Sequence, residues 1–312
     1  MAMFTFNPTP LRAADASAPG ASGSAVADLD RLTAVLAPPE RVIVAFSGGV
    51  DSALVLAAAV RASGDRVLAV TGVSPSLAQA ELAEARALAA RIGARHHEVD
   101  TFEHLDPRYV ANAGDRCYHC KSELYARLDQ IRRAGGYAAI LDGTNRDDLG
   151  DTRPGLRAAE EHGVRHPLIE AGLDKAAVRR LSRHLGLPTW DKPEMACLAS
   201  RMPVGTPVSI SRLRRAEEAE AALRALGFRQ VGVRDHGSLG RIEIAVEEME
   251  RLRDETPAAR ELTAQVLAAV RGAGFGEAAV DPNGYRRGGL PAVADESRSD
   301  AATEQGGRKH GR

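Results

Sequence analysis

The spacing of apolar residues switches repeatedly between residues 41 and 190. RVIVAF (41–46) is a short unbroken apolar run, as expected of a strand covered on both faces, and residues 51–63 behind it carry apolar positions at helical spacing. RVLAVTGVS (66–74) predicts a second strand, and SLAQAELAEARALAARIG (76–93) a long helix closed by Gly93 as its C-cap. A short strand in HHEVD (96–100) follows, then a helix in SELYARLDQIRRAG (122–135), a strand in YAAILDGTN (137–145) and a helix in DKAAVRRLSRHLG (174–186), with Pro188 just beyond. Alternation of this kind predicts the α/β class: a parallel sheet flanked by helices. Ligands bind such sheets at the carboxyl ends of the strands. SGG (47–49), SPS (74–76) and GTN (143–145) all fall there.

The pattern changes after WDKP (190–193). A Glu- and Arg-rich helix is expected over 209–227, and short strands over 230–234 and 241–246 pair around DHGSLG. EEMERLRDE and PAARELTAQVLAAVRGAG read as helices, and GEAAVDPNGY adds a last strand. The chain therefore divides into a tail (1–26), an α/β domain (27–190), a small α+β domain (191–284) and a second tail (285–312). Both tails are small and polar and bury too little surface to order themselves.

Composition narrows the function. Aromatics are only 4% of the 312 residues, so alanine, leucine and valine must fill the core. A net charge of −1 gives no whole-chain attraction to nucleic acid or to an anionic membrane. No apolar run reaches the roughly 18 residues of a membrane span, and the start lacks a signal peptide's apolar core. A cytoplasmic protein is expected. There the three cysteines read as reactive thiols, metal ligands or core residues rather than disulfides.

The strand-to-helix turn FSGGVDSALVL (46–56) is rich in donors. Gly48 and Gly49 let backbone approach a ligand closely, the next helix points free N–H groups at the same place, and Ser47 and Ser52 add hydroxyls. A phosphate or pyrophosphate suits it. Asp51 is a poor partner for a bare anion, so it either acts through Mg²⁺ or orders the loop. There is no GxxxxGK[ST] for a Walker-type site. A second cluster is DRCYHCK (115–121), whose Cys117 and Cys120 form a C-x-x-C between Arg116 and Lys121, with Cys197 in MACLASRMPVGTPVS (195–209). By residue type alone this set admits a redox pair, a Cys₃His zinc site using His119, or a [4Fe–4S] cluster with one iron open.

SGGVDS resembles the pyrophosphate loop (PP-loop) of the ATP-pyrophosphatase superfamily, whose adenine nucleotide alpha hydrolase-like sheet directs attack to the α-phosphate of ATP. Together FSGGVDS, TGVSPSL, DRCYHCK, LDGTNRDDLGDTRPGLRAA and MACLASRMPVGTP resemble the LarE family of ATP-dependent sulfur transferases over roughly residues 30–280. The resemblance implies that Val73, Ser74, Gly143 and Thr144 hold adenosine. It implies a substrate, pyridinium-3,5-biscarboxylic acid mononucleotide, that is adenylated and then given sulfur during nickel-pincer cofactor biosynthesis for lactate racemase. It also implies ATP with Mg²⁺, a homo-oligomer, and one of two sulfur sources. Either Cys197 gives up its own sulfur, or Cys117, Cys120 and Cys197 hold a [4Fe–4S] cluster recharged by a sulfide or iron–sulfur donor protein. All three cysteines are present, which favours the cluster.

Arg201 and Arg234 are candidates for binding the substrate's anionic groups. Arg241 is weighed with them against surface salt bridges. Asp148, with Asp147, Asp151 and Arg153 after the GTN turn, is a candidate for Mg²⁺, substrate or helix capping. His119, His166 and His236 are not expected to be ligands, and Trp190 is expected to pack at the domain junction. The competing readings are a tRNA thiolase of the same superfamily, a nucleotide-binding module without chemistry, and an ammonia-using synthetase. The tRNA reading needs a basic RNA-binding surface, whereas this chain is near neutral and carries no recognisable added RNA-binding module.

Overall fold

The computed structural model describes residues 21–37, 40–150, 154–253 and 256–285. The first layer is built from α1 (Ala21–Val35), β1 (Val42–Ala45), α2 (Val50–Ser63), β2 (Val67–Val73), α3 (Gln79–Ile92), β3 (Arg95–Asp100), α4 (Pro107–Ala111), α5 (Arg116–Gly135), β4 (Ala139–Leu141), α6 (Pro154–Glu161), α7 (Pro167–Glu170) and α8 (Lys175–His184). The strands form one parallel sheet in the order β3-β2-β1-β4. Side chains alternate across it, as the strand pleat requires. Val42, Val44, Val67 and Ala69 face a core closed by α1, α2, α3 and α8. Ile43, Ala45, Leu68 and Val70 face Tyr125, Leu128, Ala158 and Ala159 of α5 and α6. Both faces are dry, which is why β1 reads as an unbroken apolar run.

The chain steps outward from β1 to β2 and β3, then returns to place β4 on the other side of β1. The reversal opens a crevice between the carboxyl ends of β1 and β4, the usual ligand site of such sheets. The turns after both strands meet there. A Cβ on Gly143 would lie 2.6 Å from the Ser52 backbone nitrogen, so only glycine allows this approach.

The second layer contains α9 (Ile210–Ala225), β5 (Val231–His236), β6 (Leu239–Ile244), α10 (Val246–Arg253), α11 (Pro257–Gly272) and β7 (Glu277–Val280). β5 and β6 form an antiparallel hairpin, and β7 joins β6 in parallel. α9 and α11 cover the sheet through Leu223, Val266 and Val270. The fold class is thus α/β with a separate small sheet.

Four expectations need correction. The composition placed residues up to 26 in a tail, yet α1 begins at Ala21, and Ala25 is buried in the same core as Leu32; Leu29 and Leu32 anchor the helix from further along it. The helix expected from residue 122 begins at Arg116, so the C-x-x-C lies in its first turns. The hairpin turn is tighter than expected, and Val246 starts α10 rather than ending a strand. Tyr285, placed in the second tail, packs back onto the small sheet, its N–H donating to Ile244 O at 2.8 Å. The rest of that tail, and Asp151 and Arg153, lie outside the described residues.

Candidate active site

The pyrophosphate loop leaves β1 at Phe46. Gly48 takes φ +71°, and a Cβ there would lie 3.0 Å from that of Ala85 on α3, so backbone freedom and space both call for glycine. The Ser52 hydroxyl receives the Ser47 N–H at 3.3 Å and donates to Gly49 O at 3.3 Å. Gly49 N–H donates to Ser47 Oγ at 3.4 Å. These bonds hold the loop open over the N-terminus of α2, where Gly49 is the N-cap and no side chain caps the first turn. The free N–H groups and the helix dipole make an anion seat.

Asp51 does not face that seat unaccompanied. Its Oδ2 lies 2.6 Å from Lys175 Nζ and its Oδ1 accepts from Asn145 Nδ2 at 3.2 Å. Burial raises its pKa, and Lys175 opposes that rise. Both oxygens are engaged within the protein, by Asn145 and Lys175. Lys175 also bridges to Glu194 at 2.6 Å, and Lys192 Nζ donates to Gly48 O at 3.4 Å while pairing with Glu84 at 2.7 Å. These two lysines stand beside the loop, each paired with carboxylates: Lys175 with Asp51 and Glu194, Lys192 with Glu84. Sequence reading missed them. Each lies more than a hundred positions from the loop, and only the first-turn position of Lys175 on α8 gave any signal.

The other expected nucleotide residues lie at the same edge of the sheet. Val73 ends β2, and Ser74 Oγ donates to the buried Glu103 at 2.5 Å. Gly143 and Thr144 follow β4, where Thr144 donates through both N–H (3.0 Å) and hydroxyl (2.9 Å) to Asp142. Asp148 accepts the Asn145 N–H at 3.1 Å and so shapes the turn that presents Asn145 to Asp51.

Asp142 is also a hub that sequence reading did not single out. It accepts from Tyr125 on α5 at 3.0 Å, and its other oxygen lies 2.7 Å from His166 Nδ1. Burial alone would push its carboxyl up, but the His166 hydrogen bond and the Lys121 charge outweigh that and leave it below the usual carboxylate range. Tyr125 is pushed up to about 12, mainly by burial. The turn after β4 is thereby joined to the helix that carries the first two cysteines.

Cys117 and Cys120 occupy the first turns of α5, and Cys197 is the N-cap of a 3₁₀ turn, Leu198–Arg201. The three thiols share one neighbourhood. Desolvation is the main cause that raises the pKa of both Cys117 and Cys120, for Cys117 through the atoms crowded around a residue whose surface still reaches solvent, and nearness to Cys197 adds to it in each case. Arg116 and Lys121 pull Cys117 back, and Lys121 pulls Cys120 back. Cys120 packs against a small cluster of Ala78, Tyr109, Leu198, Ala199, Met202, Val208 and Leu213. Cys117 and Cys197 are exposed. Among the described residues no three Cys, His, Asp or Glu side chains converge on a single-ion site. That removes a preformed Cys₃His zinc site, and His119 instead lies 3.1 Å from Asp115. A four-iron cube holds its thiolates apart rather than at one point, so three neighbouring thiols beside two cations fit its donor chemistry.

Arg201 and Arg234, expected at the substrate, are buried and paired within the protein. Arg201 Nε donates to Glu220 at 2.5 Å, and Arg234 donates to Glu243 at 2.9 Å and to Ser200 O at 2.6 Å. Their guanidinium groups lie beneath the Cys197 turn and support it. Arg241 is partly buried and pairs with Asp281 at 3.2 Å. Trp190 is exposed at the edge of the α/β layer, with Arg183 4.9 Å over its ring.

Comparison with known proteins agrees with this geometry. The asparagine synthase family profile matches residues 39–111, the span that contains the pyrophosphate loop and β2. The pyridinium-3,5-bisthiocarboxylic acid mononucleotide synthase of Lactiplantibacillus plantarum is 40% identical over 68% of this chain and 78% of its own length. The chain belongs to the LarE family of ATP-dependent sulfurtransferases. An uncharacterized protein of Synechocystis is 41% identical over 85% of this chain and 97% of its own. The tRNA-specific 2-thiouridylase MnmA of Azorhizobium caulinodans is more distant, 29% identical over 58% of this chain and 56% of its own. Among the described residues no helix is long and apolar enough to cross a membrane.

Proposed function

We propose that this enzyme uses ATP to adenylate the carboxylates of pyridinium-3,5-biscarboxylic acid mononucleotide and then replaces AMP with sulfur, in nickel-pincer cofactor biosynthesis. The observation that carries the reading is the meeting of an anion seat and a three-thiol neighbourhood at one end of one sheet. The L. plantarum relative, named for the bisthiocarboxylic product, supplies the substrate class.

A carboxylate is inert to substitution because its leaving group would be oxide. Its oxygen attacks the α-phosphorus of ATP, the bond to the β-phosphate breaks, and pyrophosphate leaves into the seat formed by Ser47, Gly48, Gly49 and Ser52 with Mg²⁺ as its counterion. Lys175 and Lys192 stand where that charge develops. The acyl-adenylate then loses AMP to a sulfur nucleophile. When bound by Cys117, Cys120 and Cys197, a [4Fe–4S] cluster supplies that sulfur as sulfide from a separate donor. Without it, Cys197 Sγ attacks the acyl carbon, and its Cβ–S bond then breaks with loss of the α-proton, leaving dehydroalanine.

The α/β layer, from α1 to α8, would bind ATP, and the following segment with the small sheet, through Tyr285, would present Cys197 in a cytoplasmic homo-oligomer. The test uses anaerobically purified protein with ATP, Mg²⁺ and the biscarboxylate mononucleotide, following pyrophosphate, AMP and product mass together. Pyrophosphate release with oxygen-to-sulfur exchange in the product is expected. Adenylation without sulfur gain, or turnover only with tRNA, overturns the reading. The visible spectrum and iron content separate the two sulfur sources: a cluster chromophore on one side, loss of hydrogen sulfide mass at Cys197 on the other.

A further inference from the structure

Asn112 lies between α4 and α5 and is the one non-glycine residue with positive φ (51°) among the described residues. Asparagine tolerates this conformation better than most residues, but it still costs energy and persists only where the surroundings demand it. Here they do. Asn112 is 2% exposed. Its Nδ2 donates to Pro203 O at 2.8 Å and to Thr206 O at 3.0 Å, and its backbone carbonyl accepts from Gly205 N at 2.8 Å. Val208 N–H adds a bond to Val110 O at 2.9 Å. The loop that follows Cys197 is therefore fastened to the segment that precedes Cys117.

The remaining group of Asn112, Oδ1, accepts from Arg116 Nη1 at 2.7 Å. The same nitrogen donates to Ala199 O, also at 2.7 Å. Arg116 immediately precedes Cys117, and Ala199 lies two residues beyond Cys197. One buried guanidinium is thus the direct link between the helix carrying two cysteines and the turn carrying the third. Ser200 Oγ closes the turn by donating to Cys197 O at 2.7 Å. No atom of Asn112 or Arg116 need touch substrate for this to matter, because sulfur transfer depends on where Cys197 stands relative to Cys117 and Cys120.

We propose that Asn112 and Arg116 are positioning residues that fix the separation of Cys197 from Cys117 and Cys120, and so act on sulfur transfer without acting on adenylation. The inference rests on the family reaction proposed above, but its test does not require that reaction. Asn112→Gly keeps the left-handed backbone, which glycine adopts freely, and deletes only the side-chain clasp. Arg116→Lys leaves the bonds of Asn112 to the loop intact and removes the planar fork.

The reduced, cluster-free full-length protein and both variants would be treated with a short bifunctional thiol reagent and the Cys117–Cys197 and Cys120–Cys197 cross-links quantified by peptide mass. Thermal unfolding would verify folding. We expect the cross-linking rate to fall roughly tenfold and sulfur transfer ~100-fold, as ångström-scale misplacement does, with first-turnover pyrophosphate release unchanged. Folded variants that cross-link at the wild-type rate overturn the proposal, whatever their activity. Equal loss of first-turnover pyrophosphate release and sulfur transfer also overturns it. If Asn112→Gly does not fold, Arg116→Lys is read from the Cys120–Cys197 cross-link alone, because Arg116 also acts directly on the Cys117 thiol. If the cluster-free wild type cross-links but anaerobically prepared protein, with iron and sulfide supplied, makes no thiocarboxylate, the proposed reaction is overturned and the clasp stands.

Discussion

Lys175 Nζ stands 2.6 Å from Asp51 Oδ2, so the first turn of α8 is pinned to the first turn of α2. The pair is mostly buried, and burial would otherwise push the Asp51 carboxyl toward its neutral form. Lys175→Ala removes the opposing charge. The Asp51 pKa is then expected to rise further, moving the acid limb of pyrophosphate release to higher pH. ATP binding should weaken by roughly tenfold or more, the 1.5–3 kcal/mol scale of a charge-assisted hydrogen bond. A pH profile of pyrophosphate release, run with an ATP titration, checks both. An unchanged acid limb would remove Lys175 from the loop's electrostatics.

Gly143 carries a steric prediction. A Cβ there would meet Ser52 N at 2.6 Å and the Asp51 carbonyl carbon at 2.9 Å, and both are backbone atoms that cannot swing aside. Gly143→Ala should separate the β4 turn from the pyrophosphate loop, destabilise the protein by about 1–3 kcal/mol and weaken ATP binding in parallel. Calorimetric unfolding and ATP titration measure the two effects. Loss of stability with normal ATP affinity would mean that the turn can withdraw from α2 without cost to the seat.

Much of this site was legible because its signals are local. A short apolar run, a glycine pair and hydroxyls in one turn give the strand, the loop and the helix start together. The α/β alternation gives the sheet for the same reason, since period 2 and period 3.6 are properties of neighbouring residues. What escaped is either weakly patterned or distant. Ala21 to Ala25 carry no large apolar residue, although α1 docks on the sheet. RCYHC shows no apolar stripe, so the start of α5 was placed too late and the cysteines outside the helix. Lys175, Lys192 and Asn112 act across long stretches of chain, and only the folded crevice brings them to the loop or the cysteines. Arg201 and Arg234 show the opposite limit: an arginine near a reactive cysteine reads as a ligand for anions, whereas burial turns it into scaffold.

His166 and Asp142 make a pH prediction with two edges. Burial would lower the His166 pKa, but the hydrogen bond to Asp142 and its charge outweigh that and raise it. The stabilisation from His166 is fully present below its unfolded pKa of about 6.5 and is lost as pH rises through the raised folded value. Asp142 is held low, so its contribution is present above the unfolded carboxylate value of about 4 and is lost as pH falls through the folded one. The difference in unfolding free energy between wild type and His166→Gln should therefore be largest between about pH 4 and 6.5 and shrink on either side. Urea titrations across that range measure it, and a flat difference would contradict the coupling.

The thiols should differ in reactivity. Cys120 is packed in an apolar cluster, and burial holds its proton on, whereas Cys117 and Cys197 reach solvent. Iodoacetamide should label Cys117 and Cys197 first and Cys120 last in the cluster-free protein, as followed by peptide mass. Early labelling of Cys120 would show that the first turns of α5 open readily. Lys121→Ala should slow Cys120 further, since it removes a charge that favours the thiolate.

The pair beneath the Cys197 turn sets the last expectation. Arg201 ends the 3₁₀ turn that Cys197 begins, and Arg201 and Glu220 are both essentially inaccessible. Desolvating two charges is costly, and removing one leaves the other buried and uncompensated, a loss of about 3–5 kcal/mol. Glu220→Gln should reach that range in chemical denaturation, and Arg201→Met should fall short of it, because Glu220 keeps Arg224 at 3.1 Å. The double replacement Arg201→Met with Glu220→Leu should recover much of the loss, because no charge is then stranded. Recovery should be incomplete, since Glu220 also accepts the Val233 N–H at 3.1 Å and pairs with Arg224 at 3.1 Å. If the single variants cost less than about 1 kcal/mol, the level of an exposed pair, water reaches this pair in solution, and Arg201 regains its candidacy as a partner for the substrate's anionic groups.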